Sequence, residues 1–131
     1  MDIEITLEGK KKVNAKVHGM IIRTDQLIEA GGDGSAPAPF DLFLASIGTC
    51  AGIYVKSFCD QRGISADKIK IIQKVEINPE SRLIGKIILD IQLPPDFPVK
   101  YREALINVAN LCTVKKHLLH PPEIEVFSSI N

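Results

Sequence analysis

A long stretch without a strong helix breaker is the feature that most constrains this fold. It begins at Pro39, whose fixed φ and missing N–H suit the first position of a helix. It ends at Arg62, because Gly63 is a typical residue just past a helix C-terminus. The spacing predicts one helix of about 24 residues, roughly 36 Å long at 1.5 Å per residue.

Between Leu42 and Val55 this helix carries no charge and is apolar nearly all round. A helix without a polar face is buried on most sides, and a chain of this size has little material to cover one. Ala45, Gly48 and Gly52 are small residues at helical spacing, so another helix can approach closely there. We therefore expect a second copy of the chain to help cover this helix.

Alternation of apolar and polar residues predicts strands on both sides of the helix. They are an N-terminal meander of 2–7, 13–17 and 20–24, a hairpin of 69–77 and 87–93, and a closing strand at 124–126. The first strand has one apolar face and is expected to be half-buried. A second, shorter helix between the hairpin and the closing strand ends at His120-Pro121-Pro122. Hairpin-linked strands give a mainly antiparallel sheet, so the sequence predicts an α+β fold in a single domain, residues 1–131.

The charge balance argues against nucleic acid as a partner. Lys and Arg number 16, as do Asp and Glu, whereas a nucleic-acid-binding domain normally carries a basic surface for phosphates. The N-terminus lacks a basic region followed by an apolar core, and the longest charge-free apolar run is shorter than the roughly 20 residues of a membrane span. We therefore expect a cytoplasmic protein with neither a nucleic-acid partner nor a membrane association.

Three cysteines are the candidates for chemistry. Cys50 lies in the middle of the long helix, and Cys112 lies where the second helix falters and restarts, so that free N–H groups there would favour a thiolate. Each, taken alone, is more readily interpreted as a buried core residue, because cysteine is among the most buried residue types. Cys59 follows Cys50 by nine residues, which places it about 13 Å further along the helix and beyond disulfide reach, so we interpret it as structural. No metal site is expected, because His117 and His120 have no further ligand.

Two segments resemble the signatures of the OsmC/Ohr family. The first is the Gly-rich loop, proline and helix of residues 31–50, which ends at Cys50. The second is Cys112-Thr113-Val114-Lys115, with Thr113 where the family often has proline. The order and spacing of the elements agree over nearly the whole chain. The resemblance implies an OsmC-like fold and an intertwined homodimer with the two long helices packed centrally.

The same resemblance implies a thiol-dependent peroxidase of the oxidative stress response. Cys50 would be the peroxidatic thiolate that attacks organic or hydrogen peroxides, and Cys112 the resolving cysteine that forms a disulfide with it. An external dithiol, or a lipoyl-type reductant, would then reduce this disulfide. No bound cofactor is expected.

One position departs from the family pattern. In peroxidase members a glutamate follows the proline and pairs with an arginine over the reactive cysteine, whereas this chain has Phe40, and Asp41 lies about 100° further around the helix. Arg23 is the arginine of the N-terminal strands and the candidate cation for the thiolate. Phe40, Phe43 and Tyr54 are expected to contact the substrate. The alternative is an OsmC-fold protein that binds a small molecule or senses redox state without peroxidase activity.

Overall fold

The computed structural model describes residues 1–131. It contains two compact units, Met1–Ala45 and Ser46–Asn131, with the boundary inside the long helix. The elements are β1 (Glu4–Leu7), β2 (Val13–Val17), β3 (Met20–Thr24), α1 (Pro39–Gln61), β4 (Lys70–Ile77), β5 (Ile84–Gln92), α2 (Arg102–Ala109) and α3 (Thr113–Leu119), with 3₁₀ turns at Ile28–Ala30 and Val99–Tyr101. Two antiparallel sheets with helices confirm the predicted α+β class, while the single domain stays a prediction.

The first unit contains the predicted three-stranded meander in the order β1-β2-β3. The hairpin of β2 and β3 closes where Val17 pairs with Met20. His18 and Gly19 between them have φ of 50° and 76°. Positive φ at both central residues of a two-residue loop matches the twist of the flanking strands, so this dipeptide determines the register of the hairpin.

The predicted half-burial of the first strand is wrong for this chain. All four residues of β1 are exposed, including Ile5 at 54% and Leu7 at 81%. β1 is an edge strand whose neighbour in the sheet is β2. Alternation predicts which residues share a face, but it does not supply a layer to cover that face.

A fully buried carboxylate organises the Gly-rich loop of this unit. Asp25 accepts hydrogen bonds from the hydroxyl and the amide of Ser35, and from the amides of Gln26 and Asp33. These bonds, the Ser35 hydroxyl first, hold the pKa of Asp25 well below its usual range. The loop requires glycine at position 32, because a Cβ there would lie 2.1 Å from the carbonyl oxygen of Gln26.

The long helix agrees with its prediction to within one residue. α1 ends at Gln61, and Gly63, with a φ of 63°, donates its amide to the Asp60 carbonyl. The amide of Ile64 donates to the carbonyl of Cys59 at 2.9 Å, which completes a Schellman motif.

The expected burial of α1 on most sides is not met within one chain. The helix is long and apolar enough to cross a membrane by length and composition alone, with a mean hydropathy of 1.5, and 28% of that window is buried. Ile53 is 66% exposed and Phe40 is 58% exposed. On its buried face, Ala51, Val55 and Phe58 lie in the core of the second unit.

The second unit packs the β4–β5 hairpin and α2 with this face of α1. Lys70 pairs with Gln92 and Ile77 with Ile84, so β4 and β5 form the antiparallel hairpin that the alternation predicts. The core contains Cys59, Leu105, Ala109 and Phe97 together with the buried residues of α1. Cys59 is fully buried, which agrees with its interpretation as a structural residue.

The second predicted helix is two helices. α2 ends at Ala109, and α3 begins at Thr113 with Cys112 as its N-cap, so the break lies where the sequence pattern falters. The closing strand predicted at 124–126 is wrong for this chain. Residues 120–131 contain no strand, and Val126 is 90% exposed. A strand needs an edge to pair with, and these residues form no backbone ladder with another strand of the chain.

Candidate functional site

Cys50 is a half-buried residue of α1. Hydrogen bonding from the amide of Val114, the thiol of Cys112 and the amide of Thr113 favours the thiolate of Cys50. Hydrogen bonds to the charged form favour it. The Val114 amide contributes most, and together the three donors outweigh desolvation and lower the pKa of Cys50 below its ordinary value.

The two amides are available because of the helix break. Thr113 and Val114 are the first residues of α3, and the first N–H groups of a helix have no acceptor within it. In this structure they point to a sulfur atom on α1. The site therefore depends on a local feature of the chain, the restart of a helix directly after Cys112.

Cys112 lies in a different environment from Cys50. It is 2% exposed, and its sulfur caps α3 by accepting from the amide of Lys115 at 3.5 Å. Its sulfur also lies 3.9 Å from the carbonyl oxygen of Ile47, which is a second acceptor for the single thiol proton besides Cys50. Burial raises the pKa of Cys112, and the neighbouring Cys50 raises it further. Cys112 therefore stays a thiol under conditions in which Cys50 can ionise.

Tyr54 follows Cys50 by one helical turn and contacts the same end of α3. Its hydroxyl oxygen lies 3.1 Å from the hydroxyl oxygen of Thr113, and either group can donate. The sequence did not indicate this contact, because the two residues are 59 positions apart and the signature that contains Thr113 does not include Tyr54. The expectation that Tyr54 contacts a substrate stays a prediction.

An apolar cavity of about 250 Å³ adjoins Cys112. Its wall combines alternating residues of β5 with residues of α1, α2, α3 and the segment between α2 and α3: Ile47, Ile87, Leu89, Ile91, Ile106, Ala109, Asn110, Cys112, Lys115 and Leu118. The side-chain ammonium of Lys115 donates to the amide oxygen of Asn110 at 2.7 Å. Alternation on β5 was visible in the sequence, but the cavity depends on how the hairpin packs against the helices.

The remaining predicted site residues belong to the first unit. Phe40 and Phe43 stack on each other with ring centroids 5.6 Å apart, and both are exposed. Arg23 lies in β3 and pairs in register with Asn14. The substrate-contacting role of the two phenylalanines and the thiolate-stabilising role of Arg23 stay predictions.

Cys50, whose thiolate is favoured, and the buried Cys112 together form a candidate two-cysteine thiol site on an α+β fold. The family model of OsmC-like protein matches residues 32–127 of the chain. The protein therefore belongs to the OsmC-like family, as the two sequence signatures predicted. No curated protein matches the chain.

Solved structures share the fold. An OsmC-like protein from Mycoplasma pneumoniae is 16% identical, with 92% of this chain and 87% of that chain covered and a TM-score of 0.69. A protein from Psychrobacter arcticus 273-4, named for osmotic stress induction and a detoxification response, is 20% identical, with 87% and 85% covered and a TM-score of 0.72. The organic hydroperoxide resistance protein OhrB of Bacillus subtilis is 17% identical, with 88% and 89% covered and a TM-score of 0.53. At these identities the likeness establishes the fold.

Proposed function

We propose that the protein is a thiol-dependent peroxidase that reduces organic or hydrogen peroxides through Cys50 and Cys112. The observation that carries the proposal is the environment of Cys50: the first amides of α3 and the thiol of its N-cap, Cys112, favour the Cys50 thiolate. Its pKa is lowered while that of Cys112 is raised, so the two cysteines are suited to different steps. A similar fold in an organic hydroperoxide resistance protein supports the same class of substrate.

In the first step the thiolate of Cys50 attacks one oxygen of the peroxide. The O–O bond breaks, the sulfur gains the hydroxyl group as a sulfenic acid, and the other oxygen leaves as an alkoxide or hydroxide that takes a proton from solvent. Only the thiolate is an effective nucleophile, so the donors that favour it also favour this step. Cys112, a buried thiol, is protected from direct oxidation by peroxide.

In the second step the sulfur of Cys112 attacks the sulfur of the Cys50 sulfenic acid. A disulfide forms, and the hydroxyl group leaves as water with the proton of the Cys112 thiol. Each cysteine shifts the pKa of the other, so Cys112 is the thiol we assign to this reaction. An external dithiol, including one of the lipoyl type, then reduces the disulfide by exchange and is itself oxidised.

The amides of α3 favour the Cys50 thiolate in a chain that has Phe40 where peroxidase members of the family have a glutamate. In this chain Thr113 and Val114 supply donors to Cys50 from the backbone, and these do not depend on the residue at position 40. We therefore expect activity to be retained.

We also propose a cytoplasmic homodimer. The exposed apolar residues of α1, among them Phe40 and Ile53, and those of the C-terminal segment, among them Ile124 and Val126, are more than soluble monomers usually present. A second copy of the chain would bury both sets of exposed apolar residues. Light scattering should then give a mass of about twice the 14.4 kDa of one chain, and a monomer at micromolar concentration would refute this part.

The peroxidase proposal is tested by stopped-flow oxidation of the reduced protein with cumene hydroperoxide and with hydrogen peroxide. Fast loss of one thiol is expected, absent in Cys50→Ser and unchanged in the matched control Cys59→Ala. A rate no faster than that of free cysteine would refute the proposal. Full retention of the thiols, together with a small molecule held tightly in native mass spectrometry, would support the alternative of a binding protein.

A further inference from the structure

We infer that Tyr54 and Thr113 are positioning residues, whose paired hydroxyl groups hold the first turn of α3 against Cys50. Thr113 is linked to α1 in two ways: its hydroxyl meets that of Tyr54 at 3.1 Å, and its amide is one of the groups that favour the thiolate of Cys50. Tyr54 lies four residues after Cys50, so both side chains leave α1 on the same face. Two contacts one helical turn apart fix the orientation of the amides as well as their distance.

The start of α3 needs such a contact because little else restrains it. None of the seven residues of α3 is buried, so apolar packing holds this helix weakly. The helix is interrupted at Asn110–Cys112, so α3 lacks the support that a continuous helix with α2 would give. A short, exposed helix of this kind opens easily unless polar contacts hold it.

The other polar contacts between this first turn and α1 pass through sulfur, whereas the bond from Lys115 to Asn110 and the contact of His117 with the Thr113 carbonyl stay within residues 110–117. The amides of Thr113 and Val114 bind Cys50, and the thiol of Cys112 faces the Ile47 carbonyl at 3.9 Å. These contacts change when Cys50 is oxidised and when the disulfide forms. The Tyr54–Thr113 pair contains no reacting atom, so it can keep α3 in place through the whole cycle.

This inference rests on the proposed function for its link to catalysis, but its structural part is tested without peroxide. The rate at which iodoacetamide modifies Cys50 is measured against pH, with mass spectrometry of the Cys50 peptide. This readout separates Cys50 from Cys112, the titratable group that faces it. Tyr54→Phe and Thr113→Val each remove one hydroxyl group and leave the shape of the side chain nearly unchanged.

Both variants should raise the apparent pKa of Cys50 and slow its modification at neutral pH by about three- to tenfold, the usual effect of one hydrogen bond. The double variant should be no slower than either single variant, because both remove the same contact. Thr113→Ser keeps the hydroxyl group and should behave as the wild type. Tyr101→Phe, a change at another half-buried tyrosine of the same unit, should have no effect.

Unchanged midpoints in Tyr54→Phe and Thr113→Val, with normal circular dichroism, would overturn the inference. A shift in Thr113→Val alone would also overturn it, because Thr113 would then act without Tyr54. If peroxide fails to oxidise the wild type while the shifts are observed, the peroxidase proposal fails and the positioning role stands. If peroxide oxidation is fast and the midpoints do not move, the positioning role fails alone.

Discussion

Replacing Cys112 by serine separates its two roles, because serine can cap a helix but cannot form a disulfide. The sulfur of Cys112 caps α3 through a long contact of 3.5 Å with the Lys115 amide. Serine is among the best N-cap residues, and replacing a cap by alanine costs about 0.5–2 kcal/mol. We expect the free energy of unfolding of Cys112→Ser to stay within about 1 kcal/mol of the wild type. Cys112→Ala should lose about 1–3 kcal/mol, because it loses both the cap and the buried contacts of the sulfur.

The same substitution should change stability little but should have a large effect on the reaction. In Cys112→Ser the first oxidation of Cys50 should remain, since the Val114 and Thr113 amides are still present, but turnover with a dithiol reductant should fall sharply. The sulfenic acid of Cys50 should accumulate, and dimedone labelling with mass spectrometry measures it. Excess peroxide should then drive Cys50 to the sulfinic acid. Normal turnover, or a disulfide between Cys50 and Cys59, would refute the assignment of Cys112 as the resolving residue.

Three further predictions concern the scaffold. Leu105→Ala should lower the free energy of unfolding in urea by about 2–5 kcal/mol, because Leu105 is fully buried in the core, and a loss below about 1 kcal/mol would contradict this. Gly32→Ala should lower the free energy of unfolding by about 1–3 kcal/mol, because its Cβ would meet backbone atoms. The control Gly9→Ala has open space around its Cβ, so its free energy of unfolding in urea should differ little from that of the wild type. Asp25→Asn should unfold at a lower temperature than the wild type at neutral pH. Since the pKa of Asp25 is lowered on folding, this difference should shrink as the pH falls below about 4, and a constant difference would contradict the reasoning.

Local signals predicted the elements whose causes are local. Pro39 and Gly63 bound α1, and His18-Gly19 closes the hairpin of β2 and β3, because each acts through its own backbone conformation. The restart at Cys112 was visible for the same reason. The prediction at 124–126 was wrong, because a strand exists only with a partner edge and the sequence does not say which edge is available.

Contacts between distant segments could not be predicted from the residues alone. Alternation and helical spacing left Cys50 and Cys112 as core residues or reactive thiols, and only the family resemblance paired them. The Tyr54–Thr113 contact had no signal in either source. The same holds for Asp25, since nothing in a Gly-rich loop marks one carboxylate as its buried centre. In each case the cause is how two elements pack, which periodicity does not encode.

The break between α2 and α3 explains why two neighbouring cysteines have opposite properties. In a continuous helix the amides of Thr113 and Val114 would bond to the carbonyls of Ala109 and Asn110, four residues earlier, and would be lost to Cys50. Asparagine, threonine and valine are poor helix formers, so the sequence itself favours a break at this point. The break frees the amides for Cys50, which gains a lowered pKa, and it turns Cys112 into a buried cap, which keeps its proton. A single interruption of a helix therefore produces both the nucleophile and its partner.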